Sequence, residues 1–573
     1  MEPLFAQALI AGLERVAAWA DLLDDINVFP IADGDTGRNL VVSLSPLRQT
    51  ALGRDKIVRE LLLSARGNSG NIAARFFSGF LMADAVHHLA DPIREGRDRA
   101  WQAVSHPKPG TMLTVFDALV KAVEEPPATY DHLWRERILR ELEAAVRSTP
   151  ELLPRLKAAG VVDAGALGIF IFLEGFFNTL LTNGEGCRPI TEMFRDHLTI
   201  SPAFQEEGEA GCCVDTVLHI GGDDEQTVKR LSAIGESVVA LRDGEYLKVH
   251  LHAPDGNTLR GDIAAIGDVV RWSADDLGAQ VRSFRRRKVD QAIHIMTDAA
   301  GSVNRENMAE LGVTVLDSYI TVGGKCLPEA HVTPEELYAA MRRGGKVSTS
   351  QASVYERREH YQSVLQRYPQ VLYLCVGSVF TGNYTVAQEW KKTNDPSDRF
   401  TVLDTQAASG RLGILVVATA RFALKSREAE AVIRFAGENA ARCREYVFLD
   451  KLQYLAAGGR LSRSSAFFGD MLHMKPIISP LAEGAKKMGV VRNQAEQLAF
   501  ALEKLEADLT RNEKALVMLE YTDNAAWVTE RVQPEIARRH PGAEILLHPM
   551  SLTSGAHMGP GTWAVAYLNT RER

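Results

Sequence analysis

The sequence lacks the features that mark secreted and membrane-spanning proteins. Its 573 residues include six cysteines, which are scattered without the spacing of a disulfide framework and favour a reducing compartment. No stretch reaches the roughly 18 uninterrupted apolar residues that a membrane span needs. Residues 1–20 have neither the basic start nor the apolar core of a signal peptide. The sequence therefore predicts a cytoplasmic protein without a transmembrane segment.

An excess of positive charge is also lacking. The formal net charge is −8, whereas a protein that binds nucleic acid electrostatically concentrates Lys and Arg on one face. The one basic run, Arg285–Lys288, is typical of a solvated linker or a helix end. No nucleic-acid partner is expected.

The chain is too long for one hydrophobic core, and its apolar pattern changes twice. Residues 1–200 show the three-and-four spacing of helices, for example over 71–89 and 112–124, with almost no strand-like runs. Residues 204–285 combine short apolar runs with a helical segment, which predicts a small α/β domain. Residues 290–573 alternate strand and helix patterns, which predicts an α/β architecture with a largely parallel sheet.

The segment Asn27–Leu40 carries two carboxylates one residue apart, Asp33 and Asp35, and glycines that permit a sharp loop. Two such carboxylates can face one point and hold Mg²⁺, which typically takes one or two carboxylates together with nucleotide phosphates. An ordinary turn and a calcium site have the same local pattern. The pattern alone leaves these three interpretations open.

Three further segments place small and polar residues at predicted helix starts, namely Arg66–Asn71, Gly110–Thr114 and Gly160–Gly168. Free backbone N–H groups at a helix start suit phosphate binding. The first segment is not a Walker loop, because no Gly-Lys-Ser/Thr follows it. Each segment by itself is also typical of a plain helix cap.

Together and in this order, the four segments resemble the nucleotide-binding helical barrel of the dihydroxyacetone-kinase type, in the form that fatty acid kinases carry. The resemblance covers residues 1–200 and implies an all-α barrel with ATP and Mg²⁺ as cofactors. It implies that Asn27, Asp33 and Asp35 hold Mg²⁺, with the two aspartates catalytic. The sequence departs from the usual pattern at Arg38, where Thr is common. The resemblance also implies a set of nucleotide-binding residues: Asn27, Thr36, Asn39, Ser69, Gly70, Thr111, Met112, Asp163 and Gly165.

His250 and His252 lie two residues apart on a predicted strand and therefore share one face. Cys213 on a neighbouring strand, or as a second choice Cys212, would complete a Cys-His-His set suited to zinc. Two partly exposed histidines on an amphipathic strand would give the same spacing. The segments around these residues also look like the middle domain of fatty acid kinases. That resemblance implies that Cys213, His250 and His252 bind Zn²⁺ and that both histidines take part in catalysis.

Residues 290–573 offer polar loops after apolar strands, where ligands bind in α/β sheets. Their hydroxyls and one imidazole suit an anionic carboxylate. A Ser/His hydrolase is disfavoured, because the sequence has no Gly-x-Ser-x-Gly elbow.

The polar segments 296–298, 347–353, 376–384 and 556–561, together with Leu455–Ser462 and Lys475–Ile477, look like a DegV-type fatty-acid-binding protein. This resemblance implies a two-lobed α/β half with an acyl chain buried between the lobes. It also implies a set of substrate-binding residues: Thr349, Ser350, Ser378, Thr381, Gly382, Arg460 and His557.

The two resemblances predict a multidomain fatty acid kinase fused to its own fatty-acid-binding partner, with an acyl phosphate as the product. The expected partners are a fatty acid, an acyltransferase that uses the acyl phosphate, and a second copy of the chain in a homodimer. Transient contact with a membrane surface is compatible with these partners. Two alternatives stay open, a lipid sensor that regulates a kinase acting on another small acceptor, and a dihydroxyacetone-type kinase of a polyol. Transfer within one chain or between two chains is equally open.

Overall fold

The computed structural model describes residues 2–125, 127, 129–182, 187–205, 211–221, 224–286, 291–303, 305–458, 474–510 and 514–569. The chain divides into two compact units, Met1–Arg286 and Arg287–Arg573. This division falls at the predicted boundary near 285–290. The first two predicted domains lie together within the first unit.

The first unit begins with helices, as the sequence pattern predicts. Helix 112–124 is confirmed, whereas the predicted helix 71–89 is too long. It ends at Phe80, because Met82 and Ala83 donate backbone hydrogen bonds three residues back and so tighten the chain into a turn. The α-helices of this part are α1 (Pro3–Asp25), α2 (Thr36–Leu44), α3 (Arg54–Ser64), α4 (Gly67–Phe80), α5 (Ala90–Ala103), α6 (Met112–Val123), α7 (His132–Leu152), α8 (Pro154–Ala159), α9 (Ala164–Thr182) and α10 (Ile190–Met193).

Helix α9 forms the core of this helical part. It is long and apolar enough to cross a membrane, but 83% of its apolar window is buried inside the protein, as expected for a helix that is hydrophobic on all sides. Helix α1 packs along it closely, because a Cβ added at Gly12 would lie 2.7 Å from the carbonyl oxygen of Phe172. The guanidinium of Arg15 on α1 and the carboxylate of Glu174 on α9 form a fully buried ion pair at 2.5 Å.

A small antiparallel sheet follows in the same unit. The elements of this part are β1 (Cys212–His219), α11 (Asp224–Ile234), β2 (Glu236–Asp243), β3 (Tyr246–Ala253), α12 (Gly256–Ala264), β4 (Asp268–Asp276) and α13 (Leu277–Arg286). The strand order is β2-β3-β1-β4. Val239 and Leu241 of this sheet belong to the hydrophobic core of the helices, and the amide of Ser105 donates to the carbonyl of Val238 at 3.2 Å. The sheet therefore packs directly on the helical part.

The second unit is α/β throughout its described residues. Its first part contains β5 (His294–Asp298), α14 (Arg305–Glu310), β6 (Val313–Leu316), β7 (Ser318–Val322), β8 (Lys325–Pro328), α15 (Pro334–Arg342), β9 (Val347–Gln351), α16 (Val354–Arg367), β10 (Val371–Cys375), α17 (Asn383–Asn394) and β11 (Phe400–Asp404). Its second part contains α18 (Ser409–Ala423), α19 (Ala429–Ala440), β12 (Arg444–Phe448), α20 (Gln453–Ala457), β13 (Lys475–Leu481), β14 (Gly484–Val491), α21 (Gln494–Asp508), β15 (Ala515–Tyr521), α22 (Ala525–Trp527), α23 (Gln533–Arg539), β16 (Glu544–Pro549), α24 (Leu552–Met558) and β17 (Trp563–Asn569).

The prediction of a largely parallel sheet is right for one sheet of this unit and wrong for the other two. The sheet β11-β10-β5-β6 is parallel throughout. The six-stranded sheet β14-β13-β12-β17-β15-β16 is mostly antiparallel, because β17 inserts antiparallel between β12 and β15, and β13 and β14 form a hairpin. The sheet β8-β7-β9 is antiparallel as well.

The buried pair Arg15–Glu174 leads to a stability prediction. Glu174→Gln keeps the side-chain volume but leaves a buried guanidinium without its counter-charge, so we expect the free energy of unfolding to fall by about 3–5 kcal/mol. Urea unfolding followed by circular dichroism measures this loss. The control is Arg94→Ala, which breaks the exposed pair between Arg94 and Asp91 and should cost at most about 1 kcal/mol. Equal losses in the two variants would contradict the prediction.

Candidate functional site

The predicted acidic loop leads directly into helix α2. Asp35 is the N-cap residue of α2, and the side-chain amide of Asn27 donates to Asp33 Oδ1 at 2.5 Å. Burial, and then the negative charge of Asp35, raise the pKa of Asp33 well above its usual range. A divalent cation fits beside these two carboxylates, because its charge would offset the burial of Asp33 and the negative charge next to it.

Two residues that sequence reasoning did not assign hold this loop in place. Asp24 Oδ1 accepts from the amide of Gly37 at 2.7 Å, and Asp24 Oδ2 accepts from Arg38 Nε at 2.8 Å. Arg38 also donates to the carbonyl of Gly34 at 2.7 Å. The departure from the usual pattern at Arg38 therefore gives the loop a charged anchor.

The predicted nucleotide-binding residues of α2 and α4 lie side by side. Thr36 Oγ1 and Ser69 Oγ are 3.4 Å apart. Gly67, the first residue of α4, has a φ of +60°, and a Cβ there would lie 2.3 Å from Asn39 Nδ2. The positive φ favours glycine at this position, and a larger residue would also displace the Asn39 side chain.

The N-termini of α6 and α9 lie beside the N-terminus of α4. A Cβ added at Gly165 would lie 2.7 Å from Met112 Cε and 3.3 Å from Ser69 Oγ. Asp163 Oδ1 accepts from the amide of Ala166 at 2.7 Å, and burial raises the pKa of Asp163 to about 7. Thr111 is the N-cap residue of α6 and accepts from the amide of Leu113.

The structure thus brings together four helix N-termini that are far apart in the sequence. The first turn of a helix carries N–H groups that the helix itself does not use, and its dipole favours negative charge. Gly67, Gly70 and Gly165 let these helix starts pack closely together, since a Cβ at each would lie within 2.7 Å of Asn39, Ser43 or Met112. The arrangement can bind a polyphosphate, and the acidic loop beside it can bind the cation that accompanies the phosphates.

The Cys-His-His set predicted for the middle domain forms in the structure. Strands β1 and β3 place Cys213 opposite His252 and Asp215 opposite His250. Donor atoms of Cys213, His250 and His252 all lie within 4.8 Å of one another, and all three residues are buried. His250 Nε2 and His252 Nε2 are 3.3 Å apart. Buried imidazole and thiol groups that face one point fit Zn²⁺.

The electrostatics of this set agree with a metal site. Burial and the charge of His250 lower the pKa of His252 to about 3, which keeps it in the neutral form that binds metals. Burial, and then the charge of Asp215, raise the pKa of the Cys213 thiol well above its usual range. A bound cation would supply the positive charge that a thiolate needs at this position.

The two candidate metal sites are neighbours, which the sequence did not indicate. Ile31, two residues before Asp33, packs in one small hydrophobic cluster with Cys213, Leu277 and Val281. The charges of Asp35 and Asp33 also contribute to raising the pKa of Cys213. Residues from two predicted domains therefore share a single region.

Asp215 and Lys248 are site residues that sequence reasoning missed. The carboxylate of Asp215 lies 3.4 Å from His250 Nδ1, and Lys248 Nζ donates to the carbonyl of Ala65 just before α4. Burial opposes ionisation of Asp215, but His250 and then Lys248 bring its net pKa below the usual range. The sequence pattern could have identified both residues, because side chains two apart on a strand share a face. Asp215 therefore lies on the face of Cys213, and Lys248 lies on the face of His250.

In the second unit, the predicted carboxylate-binding residues form two hydrogen-bonded pairs. Thr349 Oγ1 lies 2.9 Å from His557 Nε2, which joins β9 to α24. Ser378 Oγ donates to Asp404 Oδ2 at 2.6 Å, an acceptor that sequence reasoning did not assign. Ser378 is exposed, as is Ser350 on β9. Arg460 lies outside the described residues.

The segments that carry these pairs are tied together by side chains. Arg357 donates to Gln351 Oε1 at 3.1 Å and to Asn383 Oδ1 at 2.8 Å, and so links the end of β9 to the start of α17. Asn383 in turn donates to the buried Asp298 at 2.7 Å. At the same helix start, Thr381 Oγ1 accepts from the amide of Asn383, and Gly382 is the N-cap residue.

Comparisons with known proteins follow the same division of the chain. Residues 30–178 match the family described as the DAK2 domain. Residues 209–284 match the family described as the FakA-like middle domain of fatty acid kinase. Residues 292–570 match the DegV family.

Several curated bacterial proteins are similar to part of the chain. An uncharacterized protein of Staphylococcus saprophyticus is 28% identical over 351 residues, which are 56% of this chain and 63% of that protein. Another from Staphylococcus haemolyticus is 30% identical over 313 residues, 50% of this chain and 56% of that protein. Protein YloV of Bacillus subtilis is 27% identical over 365 residues, 56% of this chain and 65% of that protein. The chain thus spans between 56% and 65% of the length of these relatives.

Solved structures similar to this chain cover about half of it. A fatty acid binding DegV family protein from Thermus thermophilus has 24% identity and a TM-score of 0.46, and covers 48% of this chain and 99% of its own. DegV from Bacillus subtilis, described as a fatty acid binding protein, has 18% identity and a TM-score of 0.45, and covers 49% of this chain and 100% of its own. From the three family matches together, the chain joins a DAK2 domain, a FakA-like middle domain and a DegV domain in one polypeptide.

Proposed function

We propose that this protein is a fatty acid kinase that moves the γ-phosphate of ATP to the carboxylate of a fatty acid held by its own DegV domain. The observation that carries the proposal is the convergence of the acid pair Asp33–Asp35 with four helix N-termini, in a chain that also contains a DegV domain. The product is an acyl phosphate, which an acyltransferase would consume. A homodimer belongs to the same proposal.

The chemistry of the acceptor explains what the site has to supply. A carboxylic acid is already ionised near pH 7, so it needs no general base to attack phosphorus. A carboxylate oxygen forms the new bond to the γ-phosphorus while the bond to the bridging oxygen of ADP breaks, and ADP leaves. The work left to the protein is to align the reactants and to neutralise charge.

The residues of the first unit divide this work. Asp33 and Asp35 hold Mg²⁺, which when bound supplies the positive charge that neutralises the phosphates. Thr36, Ser69 and the first turns of α4 and α9 orient the phosphates through hydroxyl and backbone N–H groups. Cys213, His250 and His252 hold Zn²⁺ beside the acid pair.

In the second unit we assign the fatty acid carboxylate to Ser378, Thr349 and His557. A buried anion needs hydrogen-bond donors to offset the loss of water, and these residues carry hydroxyl and imidazole groups suited to that role. Ser378 now donates to Asp404, so its hydroxyl has to turn from that carboxylate to the ligand.

The acid pair gives the first functional prediction. Asp33→Asn and Asp35→Asn should each abolish ATP consumption and leave the bound fatty acid in place, because the lipid is assigned to a different unit. Coupled ADP release and native mass spectrometry measure the two properties. Asp55→Asn, a change of an exposed carboxylate on α3, should behave as wild type. Undiminished turnover in both acid-pair variants would exclude the metal assignment.

The Cys-His-His set predicts about one zinc ion per chain. Cys213→Ser and His252→Ala should each lose it, because both remove a ligand. Cys212→Ser is the matched control and should keep the metal, since the Cys212 thiol donates to the carbonyl of Ala253 at 3.4 Å and lies outside the set. Elemental analysis after metal-replete expression gives the count. A wild-type protein without zinc would leave the three residues a purely structural role.

The carboxylate assignment predicts that binding and transfer separate. Ser378→Ala or His557→Ala removes one donor and should weaken binding by about 1–3 kcal/mol, while each buried CH₂ of the tail still contributes about 0.8 kcal/mol. Acyl-phosphate formation should fall much further, because transfer needs the carboxylate oxygen aligned with the γ-phosphate.

Fatty acid titration and hydroxylamine trapping of the acyl phosphate measure these two effects, with Ser426→Ala as a control elsewhere in the second unit. Wild-type phosphorylation of saturating fatty acid by both variants would place the carboxylate elsewhere. Retention of fatty acid without any acyl phosphate in the wild type would favour a lipid sensor, and failure to take up fatty acid would favour a polyol kinase.

A further inference from the structure

The loop that begins α4 is held from outside the helical part of the chain. We refer to residues 65–71 as the phosphate loop. Asp215 Oδ2 accepts from the amide of Gly67 at 3.4 Å, and Asp215 Oδ1 accepts from Asn71 Nδ2 at 3.5 Å. Lys248 donates to the carbonyl of Ala65. The middle sheet thus contributes a carboxylate and an ammonium group to the position of this loop.

The same carboxylate faces the Cys-His-His set. Asp215 Oδ2, the atom that accepts from Gly67, also lies 3.4 Å from His250 Nδ1. The other ring nitrogen, His250 Nε2, is turned toward His252 Nε2 at 3.3 Å. A histidine that binds a metal through one nitrogen usually donates a hydrogen bond from the other to a carboxylate, which fixes the orientation of the ring.

One oxygen atom therefore serves two sites. If the His250 ring rotates when it binds a metal, Asp215 Oδ2 moves with Nδ1 of that ring. The length of the hydrogen bond from the amide of Gly67 to the same oxygen then changes as well. Asn71 strengthens this link, because its side-chain amide donates to the carbonyl of Gly67 at 2.7 Å as well as to Asp215. The contacts form a continuous path from the metal ligands to the backbone that is assigned to the phosphates.

We propose that Asp215 is a positioning residue that couples metal binding at Cys213, His250 and His252 to nucleotide binding at the phosphate loop. Metal fixes His250, His250 fixes Asp215, and Asp215 accepts from the amide of Gly67 and so sets the direction of the backbone. The amides of the following residues in the first turn of α4 then face the phosphate. By linkage, each ligand then raises the affinity for the other by the same factor. This inference rests on the proposed function only in taking a nucleotide as the ligand of the loop.

The experiment measures binding without turnover. The full-length chain is titrated by calorimetry with a non-hydrolysable ATP analogue in excess Mg²⁺, once zinc-loaded and once stripped with a zinc-selective chelator. We expect the analogue to bind at least about fivefold more tightly to the zinc-loaded protein. Zinc affinity measured with and without the analogue should change by the same factor.

Variants locate the coupling. In Asp215→Asn the difference between the two metal states should shrink below about twofold, because the shared oxygen loses its charge. Asp268→Asn is the matched control, since Asp268 is an exposed carboxylate opposite His219 at the other end of the β1–β4 pair, and it should keep the wild-type difference. Asn71→Ala removes the contacts of Asn71 to Asp215 and to the carbonyl of Gly67 without touching a metal ligand. It should therefore reduce the difference while the protein still binds zinc.

Equal affinities for the analogue in the two metal states of the wild type would overturn the proposal, and so would wild-type coupling in Asp215→Asn. If Asp215→Asn does not fold or does not bind zinc, the outcome for Asn71→Ala decides, and full coupling in that variant overturns the proposal. None of these measurements uses a fatty acid. If the wild type shows the coupling but forms no acyl phosphate, the proposed function is contradicted and this inference is not.

Discussion

The first unit depends on how the polar face of its middle sheet is buried against the helices. This face carries the buried residues Cys213, Lys248, His250 and His252 together with the partly buried Asp215. Polar and charged groups in such a place need partners, because burial without them costs free energy. Asp215 and Lys248 find theirs in the backbone before and within α4. The need to satisfy buried charge thus fixes where the phosphate loop stands.

A second consequence is the concentration of acidic groups around one region. Asp33, Asp35, Asp215 and Asp275 all act electrostatically on the Cys213 thiol. Burial first, and then the charge of Asp35, raise the pKa of Asp33, so negative charge is disfavoured in this region. Such a region favours divalent cations, and once these are bound their charge inverts the local preference, so that anionic phosphates are attracted. The same carboxylates can therefore bind cations, and the bound cations can in turn attract an anion.

The second unit uses buried polar groups differently, to hold loops rather than cations. Asp298 accepts from Tyr373 OH at 2.6 Å, from the amide of Val376 at 2.7 Å and from Asn383 at 2.7 Å. Together with Arg357, it sets the direction of the chain after β10, where Ser378 lies. A rigid loop is what recognition of a small charged group at the end of a flexible tail requires.

How much the sequence determined differs between the elements and the site. Strong periodicity located α6 closely, and the predicted neighbouring strands of Cys213 and of His250 and His252 pair with each other as β1 and β3. Local patterns also found the starts of α4, α6 and α9, because helix capping and glycine conformation depend on short segments of sequence. The direction of strands in the six-stranded sheet was not predictable in this way, since β17 pairs with β12 and β15, which lie far before it in the chain.

The tertiary structure alone decided that two predicted domains share one site. Nothing near Asp33 in the sequence indicates Cys213 as a neighbour, and nothing near Gly67 indicates Asp215 as its acceptor. These contacts join residues separated by 148 positions in the case of Gly67 and Asp215. They exist because a sheet with one polar face can be buried only where another part of the chain offers matching donors and acceptors. The sequence determined which side chains could take part, and the packing of the sheet on the helices determined which of them meet.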